Sequence, residues 1–124
     1  MRFIPTRVHG ILDYLYSALL LAAPWLFGFA DGGVLHWASM LAGGGTLIVS
    51  LLTDYELSLR RWIYLPTHLA LDVVAGLFLA WLAYIMADNH GHWLILAGAG
   101  LFSAFAGGFT LAAPSDAPPD VLRV

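Results

Sequence analysis

Residues 66–87 of the chain read PTHLALDVVAGLFLAWLAYIMA. Asp72 is the only formally charged residue among these 22. A helix needs about 20 mostly apolar residues to cross the hydrocarbon core of a bilayer, so this run predicts a transmembrane span. With three comparable segments, it predicts an all-α polytopic membrane protein with four transmembrane helices. The predicted spans are Val8–Ala30, Val34–Thr53, Pro66–Ala87 and Trp93–Ala113.

The composition agrees with a membrane protein and excludes several soluble classes. Only 10% of the 124 residues are charged and 60% are hydrophobic, whereas soluble domains carry about 25% charged residues. Five Arg and no Lys provide no basic surface for a nucleic acid. The absence of Cys excludes thiol chemistry. We expect no enzymatic activity, because the sequence contains no nucleophile elbow, HExxH motif or phosphate-binding glycine loop.

The arginines predict an orientation. Arg2 and Arg7 precede the first predicted span, Arg60 and Arg61 lie between the second and third, and Arg123 follows the fourth. The two short loops contain neither Arg nor Lys. Under the positive-inside rule, both termini and the central connection are expected on the cytoplasmic side of a multi-pass protein.

The central connection, residues 54–65, mixes acids, arginines and aromatics. This pattern is typical either of a short helix lying in the membrane interface or of an ordinary cytoplasmic loop. In the interfacial helix, Arg60 and Arg61 are expected to contact lipid headgroup phosphates or the carboxylates of Asp54 and Glu56. Residues 114–124 contain three prolines and predict a flexible polar tail.

An internal repeat divides the chain into two predicted hairpins, at about residues 5–53 and 66–110. Matching residues occur in the same order in both halves, at offsets between 59 and 55. The matches are His9 with His68, Asp13 with Asp72, Asp31 with Asp88, His36 with His92, Ala42 with Ala97, and Thr53 with Thr110. Because each repeat contains two spans, the hairpins are predicted to be parallel and related by a pseudo-two-fold axis along the membrane normal.

Small residues recur every fourth position on the second and fourth predicted spans. Such stripes let helix backbones approach closely in lipid, so they predict helix packing, with a glycine-lined pore as the alternative. The residues expected to pack are Ala38, Ala42, Thr46, Gly100, Ala104 and Gly108. Pro24 is expected to kink the first span, and neighbouring groups are expected to satisfy the carbonyl that it frees.

Each matched His lies four residues before an Asp, and residues at this spacing share a helix face. An Asp exposed to lipid costs about 2.5–3.5 kcal/mol at the bilayer centre on insertion scales. We therefore expect His9, Asp13, His68 and Asp72 to face inwards as one buried polar cluster. The predicted function is a structural or accessory-subunit role, in which the cluster locks the first span to the third and needs no cofactor.

Two other functions remain open for this cluster. Two imidazoles and two carboxylates suit a divalent metal, and two histidines at equal depth can ligate haem axially. The third possibility is a small ion- or proton-coupled transporter, because the outline is similar to that of small multidrug transporters.

A second group of His and Asp is expected at the opposite, periplasmic surface. Its members are Asp31, His36, Asp88, His90 and His92. Asp31 and Asp88 are expected to cap the second and fourth helices, whose N-termini carry partial positive charge. The histidines are interpreted as ordinary loop residues, with a metal site or a pH-sensing rim as the alternative.

The segment Ala23-Pro24-Trp25, followed by LFGFAD at residues 26–31, resembles the SPW-repeat family of small bacterial membrane proteins. Ala23 replaces the Ser of that motif, and the second repeat has Ala83-Tyr84 where Pro-Trp is expected. The resemblance covers about residues 5–113. It implies two hairpins in a bacterial inner membrane and supplies no biochemical activity that can be carried over to this chain. The expected partner is the lipid bilayer, with a homo-oligomer or a larger membrane complex as open alternatives.

Overall fold

A computed structural model of the protein describes residues 2–54 and 56–111. Within them the chain forms four helices and no extended strand. The helices are α1 (Thr6–Leu26), α2 (Val34–Leu52), α3 (Leu65–Ile85) and α4 (His92–Phe109). The tail predicted over residues 114–124 lies outside the described residues.

Three of the four described helices, α2, α3 and α4, are long and apolar enough to cross a membrane. The first helix, α1, is as long as α3, at 21 residues. It is not among the span candidates, because its polar residues, such as His9 and Asp13, lower its mean hydropathy. The predicted all-helical fold is confirmed, and three of the four predicted spans correspond to helices that qualify.

The distribution of side chains is that of a protein whose outer surface meets lipid. Leu41, Val74 and Phe78 are each more than half exposed, whereas His68 and Ser39 are fully buried. Burying polar groups and exposing large apolar ones is unfavourable in water. It is favourable in a bilayer, because lipid tails are as apolar as leucine. The three apolar helices and this surface indicate a membrane protein.

The helices pack as two hairpins, α1 against α2 and α3 against α4, with smaller contacts of α2 with α3 and α4. Two isolated parallel bridges tie the hairpins together, Ile4 with Thr110 and Thr53 with Ile63. In each bridge, one residue (Ile4 or Ile63) lies just before the first helix of its hairpin, and its partner (Thr110 or Thr53) lies just after the second helix of the other hairpin. The starts of α1 and α3 and the ends of α2 and α4 therefore lie at one end of the bundle.

The packing also defines the register of the two hairpins. Gly43 lies against the backbone of Ser17 and Leu21, and Gly100 lies against the backbone of the equivalent Gly76 and Ala80. The correspondence is thus 59 residues for α1 and α3 and 57 residues for α2 and α4. This corrects the offsets of 55 and 56 that matched Ala42 with Ala97 and His36 with His92. The abundance of small residues in α2 and α4 allows several sequence alignments, of which packing selects one.

On α4, two of the three predicted packing residues are in contact with α3. A side chain at Gly100 would clash with the carbonyl of Gly76, and the backbone of Ala104 lies beside the same residue. Gly108 is exposed and faces open space. The packed residue at this point is Gly107, where an added Cβ would lie 2.7 Å from Cβ of Asp72. With 3.6 residues per turn, position 107 returns to the face of Gly100, whereas a strict four-residue stripe drifts away from it.

On α2, the predicted residues lie at the edge of the buried face. Ala38 and Ala42 are half-buried and pack on the core around Leu20, while Thr46 lines a cavity. The positions that are fully buried are Ser39, Gly43 and Ser50. The small-residue stripe is therefore a packing face, displaced by one residue from the predicted one.

Pro24 illustrates how α1 and α2 accommodate each other. Proline has no backbone N–H, so the carbonyl four residues earlier, that of Leu20, loses its helical partner. The hydroxyl of Ser39 donates a hydrogen bond to this carbonyl at 2.6 Å. The expectation that a neighbouring helix would satisfy the freed carbonyl is confirmed.

The central connection is a loop, and none of its described residues before Leu65, where α3 begins, is helical. The hydroxyl of Tyr14 donates to the carbonyl of Leu57 at 2.7 Å. Arg61 pairs with Asp54 at 3.2 Å, and the guanidinium of Arg60 lies 5.6 Å from the ring centre of Trp62. The short interfacial helix is therefore not formed, and the expected contact of Arg61 with an acid of the loop is present.

The other described acid of this loop is Glu56. Its carboxylate accepts a hydrogen bond from the hydroxyl of Thr6, at 2.6 Å to Oε1. Thr6 is the first residue of α1 and is buried. The loop is thus bound to the start of α1 and covers the bundle end near His9.

Candidate functional site

Four ionisable side chains meet in the interior, near the end of the bundle that the two bridges close. His9 and Asp13 come from α1, and His68 and Asp72 come from the equivalent positions of α3. Their relative exposures are 1%, 7%, 0% and 8%, in that order, so bulk solvent does not surround any of them. The predicted buried polar cluster is therefore formed, and we call these four residues the His/Asp cluster.

The His/Asp cluster alternates nitrogen and oxygen. His9 Nε2 lies 2.9 Å from Asp72 Oδ2 and 3.2 Å from Asp13 Oδ2. His68 Nε2 lies 3.0 Å from Asp13 Oδ2 and 3.1 Å from Asp72 Oδ2. For each histidine the closer carboxylate belongs to the other helix. The spacing of four residues places each pair on one face, and the shortest contacts then join α1 to α3.

A second layer of threonines orients both imidazoles. His9 Nδ1 lies 2.7 Å from Thr110 Oγ1, and His68 Nδ1 lies 2.6 Å from Thr53 Oγ1. Each threonine hydroxyl donates its only proton to the carbonyl four residues earlier, at 2.6 Å. With the threonine proton on that carbonyl, the threonine oxygen accepts from the imidazole and Nδ1 carries the proton. In a neutral imidazole with this tautomer, Nε2 presents its lone pair to the centre of the cluster.

These threonines are functional residues that sequence reasoning missed. The repeat matches Thr53 with Thr110. Each threonine follows the second helix of its hairpin, whereas the histidine of the same hairpin lies near the start of the first helix. Contact arises because each threonine reaches the histidine of the other hairpin. The available signal was the match itself, since a repeated polar residue at the end of an apolar helix needs a buried partner.

The two carboxylates differ in their hydrogen bonds. Ser50 of α2 donates to Asp13 Oδ2 at 3.0 Å. The equivalent residue of α4 is Gly107, which has no side chain to donate. Within the described residues, Asp72 Oδ2 and His9 Nε2 are fully buried and make no hydrogen bond of acceptable geometry, although they are 2.9 Å apart. Such buried atoms need an explanation, and a bound ion is one.

The donor set fits a divalent transition metal. Two imidazole nitrogens and two carboxylate oxygens suit Zn²⁺, Fe²⁺ or Mn²⁺. Metal-ligating histidines usually donate their other N–H to an oxygen, as His9 and His68 do towards the threonines. Bonds of about 2.0–2.2 Å to a tetrahedral ion separate the ligand atoms by about 3.4 Å. The four N···O separations of 2.9–3.2 Å are a few tenths of an ångström shorter than this, and all four ligand atoms lie within 4.8 Å of one another.

A second group lies at the other end of the bundle, in the loop between α3 and α4. Asp88 accepts hydrogen bonds from the backbone N–H and the ring Nδ1 of His92, at 3.0 and 2.9 Å. His90 Nδ1 lies 4.0 Å from the same carboxylate, and the two imidazoles are stacked. Desolvation alone would raise the pKa of Asp88, but the hydrogen bonds and charges of His92 and His90 outweigh it and lower this pKa below its ordinary value.

The remaining two residues of the predicted rim stand apart from this group. Asp31 accepts from the backbone N–H of Gly33 at 2.8 Å. His36 accepts from the backbone N–H of Gly32 and stacks on Trp37. The rim thus divides in two, because His36 lies in the first turn of α2 whereas His92 begins α4. Asp31 accepts from the N–H of Gly33, and Asp88 accepts from that of His92. The N-cap positions of α2 and α4 are Gly33 and Gly91 and have no side-chain cap, so neither Asp is the predicted N-cap residue.

Comparison with known proteins leaves the function to the chemistry of these residues. No model of a known protein family matches the chain, and neither a curated protein nor a solved structure matches it. The resemblance to the SPW-repeat family therefore stays a prediction that rests on residues 23–31.

Proposed function

We propose that this is a small membrane protein that binds one divalent transition-metal ion at the His/Asp cluster. The observation that carries the proposal is the convergence of both Nε2 atoms and both carboxylates, at N···O distances of 2.9–3.2 Å. When Nδ1 of His9 and His68 donates to Thr110 and Thr53, a neutral imidazole turns its Nε2 lone pair to the carboxylates. These groups then need a positive charge among them, which a metal ion supplies and which protons on the Nε2 atoms supply in its absence.

The charge of the site favours a divalent ion. With both histidines neutral, Asp13 and Asp72 bring two negative charges into a buried site, and isolated buried charges are costly. A divalent cation neutralises them. A haem is less well supported, because its macrocycle must lie between the two Nε2 atoms, where the carboxylate oxygens already lie within 3.2 Å of both.

The proposal includes the membrane arrangement. We propose that α1 is a fourth span, whose polar residues face the His/Asp cluster, and that the hairpins are parallel duplicates related by a pseudo-two-fold axis along the membrane normal. The two bridges support this, because they bring the starts of α1 and α3 to one end. Arg2, Arg7, Arg60 and Arg61 flank that end, which supports a cytoplasmic location for both termini in a bacterial inner membrane. The resemblance to the SPW-repeat family agrees with this location.

Metal analysis of the purified protein tests the proposal. The protein is produced with an affinity tag that lacks histidine, purified in detergent, and loaded separately with Zn²⁺, Fe²⁺ and Mn²⁺. We expect about one ion per chain after desalting. We expect near-complete loss in His9→Ala and Asp72→Ala. His36→Ala is the matched control, because His36 lies outside the His/Asp cluster, and it should keep the ion.

If the loaded wild type retains none of the three ions, the metal proposal is contradicted. A second candidate function, a purely structural or accessory-subunit role, would then be favoured. The hydrogen bonds of His9 with Thr110 and of His68 with Thr53 support it. They join the two hairpins at the end of the bundle where the two bridges lie. Under that candidate, His9→Ala lowers the thermal stability of the protein and added metal leaves wild-type stability unchanged.

A further inference from the structure

A cavity of about 210 Å³ lies between α2 and α3, beside the His/Asp cluster, and Asp72 is the one residue of that cluster in its lining. Most of its lining is apolar. Its polar lining residues are Tyr16, Thr46, Asp72 and Ser103. Gly45 of α2 and Ala75 of α3 are exposed at its edge. The cavity can therefore be reached from the lipid-facing surface between these two helices.

The equivalent space on the other side of the bundle is filled. There, between α1 and α4, the rings of Tyr16 and Phe102 stack with their centres 6.1 Å apart, and the Tyr16 hydroxyl donates to the carbonyl of Ala99. The residues that correspond to Tyr16 and Phe102 are Ala75 and Gly45, at offsets of 59 and 57. The cavity is thus the place where one interface lacks two aromatic rings that its counterpart has.

The polar end of the cavity is formed by the Asp72 side chain, which is 8% exposed and lies beside Tyr16, Thr46 and Ser103 in the lining. The Oδ2 atom of Asp72 is fully buried and faces the two histidines, so the cavity meets the remainder of this side chain. A carboxylate only accepts hydrogen bonds, so a molecule in the cavity can donate one to Asp72.

We propose that the cavity between α2 and α3 binds a small aromatic alcohol or amine from the bilayer, with its ring beside Gly45 and Ala75 and its O–H or N–H donor on Asp72. The size is appropriate, since an apolar cavity of about 150 Å³ holds benzene and this one is about 210 Å³. The ring takes the place of the missing aromatic side chains, and the donor group meets the carboxylate that lines the cavity. The proposal goes beyond metal binding and rests on the shape and lining of the cavity.

Fluorine NMR of the protein in lipid nanodiscs tests this inference. The probes are para-fluorobenzyl alcohol, para-fluorobenzylamine and para-fluorotoluene, which share a ring and differ in the donor group. We expect saturable binding of the alcohol and the amine, and at least about tenfold weaker binding of the toluene, because it leaves Asp72 without a donor. Empty nanodiscs measure partitioning into the lipid alone.

A pair of glycine variants locates the binding site. Gly45→Leu places a side chain at the cavity edge, where an added Cβ meets open space, and is expected to weaken binding of the alcohol by about tenfold or more. Gly98→Leu adds the same side chain at an exposed glycine of α4 that is equally open, and is expected to leave binding unchanged. Circular dichroism checks that both variants are folded.

Each alternative result overturns the proposal. Equal binding of all three probes would mean that the cavity accepts apolar groups such as an acyl chain and that Asp72 plays no part. Binding that survives Gly45→Leu, or that falls equally in Gly98→Leu, would place the probe elsewhere. Absence of saturable binding of the alcohol and the amine would remove the site.

Discussion

The two hairpins of this protein share one set of polar residues and differ in how their helices pack. His9, Asp13 and Thr53 of the first hairpin have identical counterparts in the second, and both histidines make the same bond to a threonine of the other hairpin. The packing residues around them differ. The difference teaches that the shared residues build the His/Asp cluster, whereas the divergent residues determine helix distance and access to it.

Helix distance is the clearest divergence. In the second hairpin, Gly76 faces Gly100, and each leaves no room for a Cβ beside the backbone of the other. In the first hairpin, Ser17 takes the place of Gly76, and a Cβ on Gly43 would lie 3.0 Å from the nearest atoms of α1. The helices α3 and α4 therefore approach more closely than α1 and α2, as small residues permit.

A second divergence is a coupled exchange of two residues. Pro24 and Ser39 of the first hairpin correspond to Ala83 and Leu96 of the second. Where the proline frees a carbonyl, a serine donates to it. Where alanine keeps its own N–H, the helix needs no external donor and a leucine fills the space.

The largest expected effect comes from the glycine contacts. Gly100→Ala should lower the free energy of unfolding by about 3 kcal/mol, because its Cβ meets the backbone of Gly76 and Ala80, which cannot rotate away. Gly43→Ala should lower it by about 1 kcal/mol, since the nearest atoms lie at 3.0 Å and the clash is smaller than at Gly100. Unfolding in mixed detergent micelles measures both. Equal costs would show that the two hairpins are packed equally closely.

The second prediction concerns the threonines. Thr53→Val and Thr110→Val keep the side-chain shape and remove the acceptor for Nδ1 of His68 and His9. Each is expected to weaken metal binding by about 10–100-fold, as loss of an outer hydrogen-bond partner usually does. Competition with a chelator measures the affinity. Because the two bonds are equivalent, markedly unequal losses would contradict the pseudo-symmetry of the site, and Thr46→Val is the control away from the histidines.

The third prediction tests the coupled exchange of Pro24 and Ser39. Ser39→Ala leaves the carbonyl of Leu20 buried without its donor and should lower the free energy of unfolding by about 1–3 kcal/mol. In a Pro24→Ala background, the backbone N–H returns and the same change should cost less than about 0.5 kcal/mol. A double-mutant cycle in detergent measures this coupling. Additive costs would show that the serine does not act on the proline-freed carbonyl.

The smallest expected effect concerns the loop between α3 and α4. Hydrogen bonds from His92 lower the pKa of Asp88 below its ordinary value of 3.8, so its carboxylate stabilises the folded state above about pH 4 and this contribution disappears as the pH falls through the lowered pKa. Asp88→Asn should therefore lower the melting temperature at pH 7 and converge with the wild type in acid. Asn89→Ala, at the exposed neighbouring position, is the control. A difference that persists unchanged in acid would contradict this origin.

Much of the fold follows from hydropathy along the chain. Long apolar runs predict helices, and their ends fall within a few residues of the observed ones, because a helix satisfies its own backbone groups in lipid. The pairing of His9 with Asp13 and of His68 with Asp72 also follows from helical periodicity. The alignment of α2 with α4 does not, because runs of alanine and glycine match one another at several offsets. The contact of Gly100 with Gly76 identifies the register.

The sequence by itself determined that this is an apolar helical protein with a duplicated His/Asp pair, since charge, length and periodicity act locally along the chain. Only the tertiary structure decided the rest. It brought Thr53 and Thr110 to the histidines of opposite hairpins, placed Ser50 on Asp13 while leaving Gly107 beside Asp72, and left a cavity where Gly45 and Ala75 replace two aromatic rings. These contacts join residues distant in sequence, and their geometry depends on how closely whole helices approach, which no local pattern encodes.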